Sequence, residues 1–258
     1  MPSADRIRRS LEVRIEQLES ELRQLRAAHA ALTAVEGIPP SVLRVFQEWD
    51  ARGRPAQAAA DWQRDRWLAA IPRHTQMLEA LPDRLDRSTV RRLVLEQPLT
   101  ASGMFEAMVI VYAWGWSMTS VGVTRAQTAL GAGTRPLGSA LLAARDAVRN
   151  GDPLAGYAAL AGPHRVAGLG PSFGSKFLYF VSPDGRRALM LDRILADWLD
   201  REAALWLNPT RWSIRTYTAY LTTMQLWSSR LGIPDHQLEE ILFTDEATRR
   251  GLGPWRRR

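Results

Sequence analysis

Apolar residues recur along most of the chain at three- and four-residue steps, the spacing of amphipathic helices. Over residues 5–32 the stripe is Leu11, Ile15, Leu18, Leu22, Leu25, His29 and Leu32, about three heptads long. It predicts either a short coiled coil, and so a possible dimer through residues 5–32, or an amphipathic helix laid on the body. Gly37-Ile38-Pro39-Pro40 ends it. A second helix is expected from Ser41 to about Asp50, followed by the break Arg52-Gly53-Arg54-Pro55. Residues 56–81 look helical around Trp62, Trp67, Leu68, Ile71, Met77, Leu78 and Leu81, with interruptions at Pro72 and Pro82. Ser88 or Thr89 can cap a short helix through Glu96. Ala101 to Trp114 is apolar nearly all round, which predicts a buried central helix.

Beyond it, residues 119–136 are rich in Thr and Gly and are expected to form a loop. Leu137 to Arg149 is helical in pattern and stops at Asn150-Gly151; Asp152-Pro153 opens another short helix to Leu160. Asp192 opens an amphipathic helix carrying Ile194, Leu195, Trp198 and Leu199. A helix at 212–231 ends at Gly232, and Asp235 caps the last one. No pair of segments shows the alternation and turn of a hairpin. The fold class expected is all-α, with about ten or more short helices. The chain divides into a heptad helix (1–36), a helical N-terminal region (37–98), a core (99–248) and a basic tail (249–258).

Composition narrows the chemistry. The 258 residues include no Cys, which removes thiol nucleophiles, Cys-ligated zinc and iron–sulfur clusters. His29, His74, His164 and His236 show no metal-binding spacing, so neither a metal nor another cofactor is expected. The formal charge is +7, and residues 99–191 hold 8 basic against 4 acidic side chains, a balance that suits a polyanion such as nucleic acid. Of the 34 basic residues, 33 are Arg and a single one is Lys, at Lys176. Where arginine has replaced lysine almost everywhere, a surviving lysine is either a leftover surface residue or a place where an amine is needed, and its neighbourhood has to decide. A guanidinium keeps its charge, whereas an amine can lose its proton and attack. The first residues, MPSADRIRRSLEVRIEQ, lack an apolar signal-peptide region, and the longest apolar stretch, Met104 to Trp116, is too short for a bilayer. A cytoplasmic protein with no membrane partner is expected.

The segment Ala159 to Trp198 carries the chemistry. A helix ends near Gly168-Leu169-Gly170, a tight turn follows, and a new helix is expected to begin at Lys176. Helix N-termini beside glycine turns present backbone N–H groups and a favourable dipole to phosphate. Asp192 lies 16 residues on, at the start of the next helix, so both side chains can reach one cleft. Lys176 is then a candidate nucleophile. Asp192 is a candidate for proton transfer and for stabilising a sugar cation, beside its ordinary role as a helix cap.

GLGPSFGSKFLYF followed by ALMLDRILADWL resembles the helix-hairpin-helix DNA glycosylases, in particular the 8-oxoguanine glycosylase branch. MVIVYAWGW resembles the tryptophan-glycine segment of bacterial members, and the likeness extends over roughly residues 100–230. It implies that Lys176 is the Schiff-base lysine and Asp192 the catalytic aspartate. It also implies that Gly168, Gly170, Gly174 and Ser175 grip DNA phosphates. In the best-known members the lysine follows the GxG turn almost directly, whereas here Pro171 to Ser175 intervene.

The activity implied is excision of a flipped base from double-stranded DNA, with lyase capacity. Trp114, Trp116 and Trp198 are candidates for the base-pocket wall, and Phe173 or a residue of 116–136 for the wedge that fills the gap. The favoured target is a hypermodified cytosine of phage DNA, such as glucosylated hydroxymethylcytosine, in anti-phage defence. The alternatives are an 8-oxoguanine-type repair glycosylase, a non-enzymatic DNA-binding module, and a helical adaptor that oligomerises through residues 5–32.

Overall fold

The apolar run that follows Pro98 becomes the centre of the molecule: 11 of the 15 residues of the helix Ala101–Gly115 are buried. The computed structural model describes residues 11–19, 21, 37–115, 120–131, 133–162, 165–185 and 187–252. Residues 11–19 are helical, and Leu11, Ile15 and Leu18 on that helix are exposed. The rest of the heptad stripe, Leu22, Leu25, His29 and Leu32, lies outside the described residues.

From residue 37 onward the helices are α1 (Pro40–Ala51), α2 (Arg64–Ala70), α3 (Thr75–Glu79), α4 (Arg87–Leu95), α5 (Ala101–Gly115) and α6 (Ser120–Leu130). They continue as α7 (Thr134–Arg149), α8 (Pro153–Ala161), α9 (Pro171–Val181), α10 (Arg193–Ala203), α11 (Ile214–Leu231) and α12 (Asp235–Arg249). The fold is all-α, as the periodicity predicts. It carries one addition, a two-residue antiparallel pair of β1 (Ala60–Asp61) with β2 (Arg84–Leu85). Strands that short cannot show alternation in sequence.

Helix starts follow from capping chemistry. Asp152 caps α8 by accepting from the Ala155 N–H, Ser213 caps α11 through Thr216, and Gly232, at φ +67°, ends α11. At α4 the cap is Asp86, which accepts from the Thr89 N–H at 2.6 Å, rather than Ser88 or Thr89 as expected. The Thr/Gly-rich stretch expected as a loop is mostly helix α6. Its propensity is poor, but Val123, Ala126, Ala129 and Leu130 are buried, and tertiary burial overrides propensity.

Buried apolar residues from Val42 to Leu242 form one cluster around α5. α5 packs on α4, α7 and α9, while α12 closes the far side against α1, α10 and α11. At that side Glu246, fully buried, accepts from Arg201, Arg249 and Arg250. Burial opposes its charge, but the three guanidiniums hold the carboxyl well below the usual range.

The α5–α7 crossing depends on Gly138. A Cβ there would lie 1.8 Å from the Ala101 carbonyl oxygen, and a backbone carbonyl cannot swing aside. Gly138→Ala is expected to destabilise by about 2–4 kcal/mol through overpacking. Gly170→Ala, where a Cβ would meet nothing within 4 Å, is expected to be close to neutral. Denaturant midpoints compare the two; equal effects would refute the steric account.

Candidate active site

Lys176 does not begin a helix. Gly170 is the N-cap residue of α9 and Pro171 occupies its first turn, the position a proline favours. The Gly174 N–H already donates to the Gly170 carbonyl at 2.9 Å. The five residues that separate Gly170 from Lys176 are therefore helix rather than loop, and Lys176 sits in the second turn. The connection from α8 to α9 carries Gly168 at φ +82°, with a Cβ position only 2.8 Å from the Ala129 backbone nitrogen. That glycine lets the connection cross the end of α6.

After α9 the chain turns at Asp184-Gly185 and returns through the buried segment Ala188–Leu191. Three bonds fix this return. The Leu191 N–H donates to Ser175 Oγ at 3.0 Å, Tyr217 donates to the Leu189 carbonyl, and Tyr220 donates to the Met190 carbonyl, each at 2.8 Å. Burial pushes both tyrosine hydroxyls well above their ordinary range, so they remain donors. Asp192 follows directly and caps α10, its Oδ1 accepting from the Leu195 N–H at 3.1 Å. Its Oδ2 accepts from Lys176 Nζ at 2.6 Å. Only 7% of the Lys176 side chain and 14% of that of Asp192 are exposed, so the pair is shielded but reachable.

Burial opposes the charge on Asp192. Lys176, the Leu195 N–H and Arg87 more than offset it, and the carboxyl lies below its ordinary value.

The pair lies where two cavities meet. An open cleft of about 500 Å³ is lined by Gly168, Gly170, Ser172, Phe173, Arg193 and Thr210, with Lys176 and Asp192 among them. An inner cavity of about 70 Å³ shares Gly115, Lys176, Asp192 and Ile194 with the cleft and is otherwise lined by Arg87, Trp114, Met190, Glu239 and Phe243.

Other expected site residues divide. Gly168 and Gly170 line the cleft. Gly174 and Ser175, expected to hold phosphate, are both buried inside α9. A Cβ on Gly174 would lie 2.3 Å from the Trp212 ring, so this glycine serves packing. Ser175 donates to the Ser172 carbonyl and receives Leu191, which positions the residue before Asp192.

Trp114 lines the inner cavity, edge-on to Phe180. Trp198 belongs to neither cavity: it is fully buried and its indole N–H donates to Asp245 at 2.8 Å, because its side of α10 faces α12. Trp116 lies outside the described residues. Phe173 packs on Tyr112 with ring centroids 4.6 Å apart, and Lys176 Nζ lies 5.6 Å from its centroid. It lines the cleft.

Two residues that sequence reasoning missed complete the site. Arg87, at the start of α4, donates to both oxygens of Glu239 on α12, at 2.8 and 3.0 Å. Its guanidinium also lies over the rings of Trp114 and Tyr179. Burial pushes the Glu239 carboxyl up and Arg87 pulls it back, leaving it above its ordinary value. A pair 152 residues apart leaves no local mark in a sequence. Among the described residues no three His, Cys, Asp or Glu side chains gather so as to hold a metal ion, and no helix is long and apolar enough to cross a membrane.

Fold and site together define an all-α protein with a buried amine–carboxylate pair at the foot of an open cleft. The family described as "Putative 8-oxoguanine DNA glycosylase OGG-like protein" matches residues 53–243, which include both members of that pair. The chain belongs to this OGG-like DNA glycosylase family. No curated protein and no solved structure matches it.

Proposed function

We propose that the protein is a DNA glycosylase with lyase capacity, in which Lys176 is the nucleophile and Asp192 receives its proton. The observation that carries this reading is the 2.6 Å contact between the chain's single lysine and a carboxylate at the foot of the cleft. The substrate is double-stranded DNA with the target nucleotide flipped into that cleft. Backbone phosphate meets the N-terminal turn of α9, whose dipole favours an anion. Gly170 supports this. It has an ordinary φ of −92° and an open Cβ position, so the fold does not require glycine there, whereas a close phosphodiester would. Arg193, with 80% of its side chain exposed beside the cleft, adds a cation.

In the reaction Nζ passes a proton to Asp192 and attacks C1′ of the sugar. The C1′–N bond breaks, its electron pair leaves with the base, and Asp192 hands its proton on to the base. Asp192 is then a carboxylate again and steadies the positive charge left on the sugar and the attached nitrogen. The C1′–O4′ bond opens as a proton passes from that nitrogen to O4′, leaving an iminium between Lys176 and C1′, from which strand cleavage by elimination can follow. The family description favours oxidised guanine as the base. The phage-modified cytosine has no observation on its side and enters as the competing substrate.

The test is borohydride trapping. The wild-type protein is incubated with duplexes carrying 8-oxoguanine, glucosylated hydroxymethylcytosine or an abasic site, and released bases are identified by mass spectrometry. Release of 8-oxoguanine and a reduced covalent adduct are expected. DNA binding without adduct or release would identify a binding module instead.

A further inference from the structure

All five tyrosines of the chain are buried, and four of their hydroxyls have a partner within the protein. Tyr217 and Tyr220 donate to the Leu189 and Met190 carbonyls, Tyr179 accepts from Arg187, and Tyr157 meets the Ser213 backbone. Among the described residues the Tyr112 hydroxyl has no partner, although the residue is only 2% exposed. An unpaired buried hydroxyl is costly, and phenylalanine would supply the same ring without it, so its presence calls for a reason. Burial pushes the hydroxyl well above its ordinary range; it keeps its proton and is a donor. The indoles of Trp67 and Trp227 also lack a partner, but they line neither the cleft nor the inner cavity.

The place of Tyr112 narrows what it serves. It lies on α5 one turn before Gly115, and its ring packs on Phe173, one turn before Lys176 on α9. Gly115 in turn abuts the lysine, since a Cβ there would lie 3.4 Å from the Lys176 side chain. Gly115 and Lys176 border the inner cavity; Tyr112 and Phe173 stand one turn back, towards Gly170. Tyr112 accordingly lines the open cleft with Gly168, Gly170 and Ser172, and not the inner cavity. The rest of its surface is packed in the core, so the cleft is where a partner enters. With C1′ at Lys176 Nζ and backbone phosphate at the first turn of α9, the part of the nucleotide on this side is its sugar and phosphate.

We infer that the Tyr112 hydroxyl is a positioning donor to a sugar–phosphate oxygen of the flipped nucleotide, holding C1′ against Lys176. The inference rests on the glycosylase reading and adds a substrate contact to that site. The bond is unmade in the free protein and forms when substrate fills the cleft, as contacts that orient reacting groups often do.

Tyr112→Phe tests it, because it removes the hydroxyl and keeps the ring against Phe173. The melting temperature is expected to stay level or rise, since an unpaired polar group gives way to an apolar one. Tyr217→Phe, which removes a bond that is made, should melt lower. Borohydride trapping of Tyr112→Phe on an abasic-site duplex, at saturating protein, is expected to slow about tenfold, the equivalent of about one lost hydrogen bond. Base release from the 8-oxoguanine duplex should slow by the same factor, because the sugar and phosphate are common to both. Affinity for an undamaged duplex should not change.

With wild-type trapping intact, an unchanged rate on the abasic duplex overturns the inference. A loss confined to 8-oxoguanine would put the hydroxyl on the base, and no loss on either would leave it without a substrate role. An equal loss of affinity for undamaged DNA, or a melting temperature lowered like that of Tyr217→Phe, overturns it too. A wild-type protein that forms no adduct and releases no base overturns the glycosylase reading itself.

Discussion

Lys176→Arg is expected to leave the fold and DNA affinity in place while lowering base excision by roughly 10⁴-fold or more. The substitution keeps the positive charge, the ion pair with Asp192 and the attraction to phosphate. It removes only the ability to present a neutral nitrogen, because a guanidinium stays protonated and its lone pairs are delocalised. The chain itself supplies the background: 33 arginines serve wherever a cation suffices. The longer fork has to enter a site where 7% of the lysine side chain is exposed, and overpacking can cost about 1–3 kcal/mol. Thermal melts and salt-dependent duplex binding separate that cost from chemistry. Single-turnover excision and borohydride trapping then read the nucleophile. A variant that binds DNA and excises within tenfold of wild type would remove Lys176 from the reaction.

The two residues proposed for catalysis are legible in the sequence for different reasons. Lys176 stood out against arginine, and Asp192 stood at a helix start after a turn; the structure brings them within a hydrogen bond. The sequence reading starts α9 too late because Gly168-Leu169-Gly170 reads as the whole punctuation. Pro171, directly after Gly170, is itself a helix-start signal and moves the boundary five residues. Helix α6 was hidden by composition, since threonine and glycine argue for a loop until the buried face against α2, α5 and α7 is known.

Tryptophans are hard to assign for a related reason. Trp114 and Trp198 both lie on buried helix faces, and only the neighbours decide whether such a face meets a cavity or Asp245. Arg87 and Glu239 each sit in an unremarkable helical pattern, on helices that meet only in the folded protein. Local chemistry was readable in this chain, and long-range pairing was not.

Asp192→Asn should separate the two tasks of the carboxylate. Asparagine is as good a helix cap as aspartate, so the bond from the Leu195 N–H survives and α10 keeps its start. What is lost is the charge 2.6 Å from Lys176 Nζ. With no base to take the amine's proton and no anion beside the sugar cation, excision is expected to fall by about 10²–10⁴-fold. Asp192→Ala should match that loss and forfeit the cap as well, for about 1 kcal/mol of further destabilisation.

The pH dependence of stability has a definite sign. The folded carboxyl lies below the ordinary aspartate value of 3.8, so its charge stabilises the protein fully above that value. The contribution is lost as pH falls through the depressed folded value. The difference in melting temperature between wild type and Asp192→Asn should therefore be constant from neutral pH down to about 4 and close below it. A difference that persists undiminished at lower pH, or widens there, would show that the ionised Asp192–Lys176 pair does not stabilise the fold.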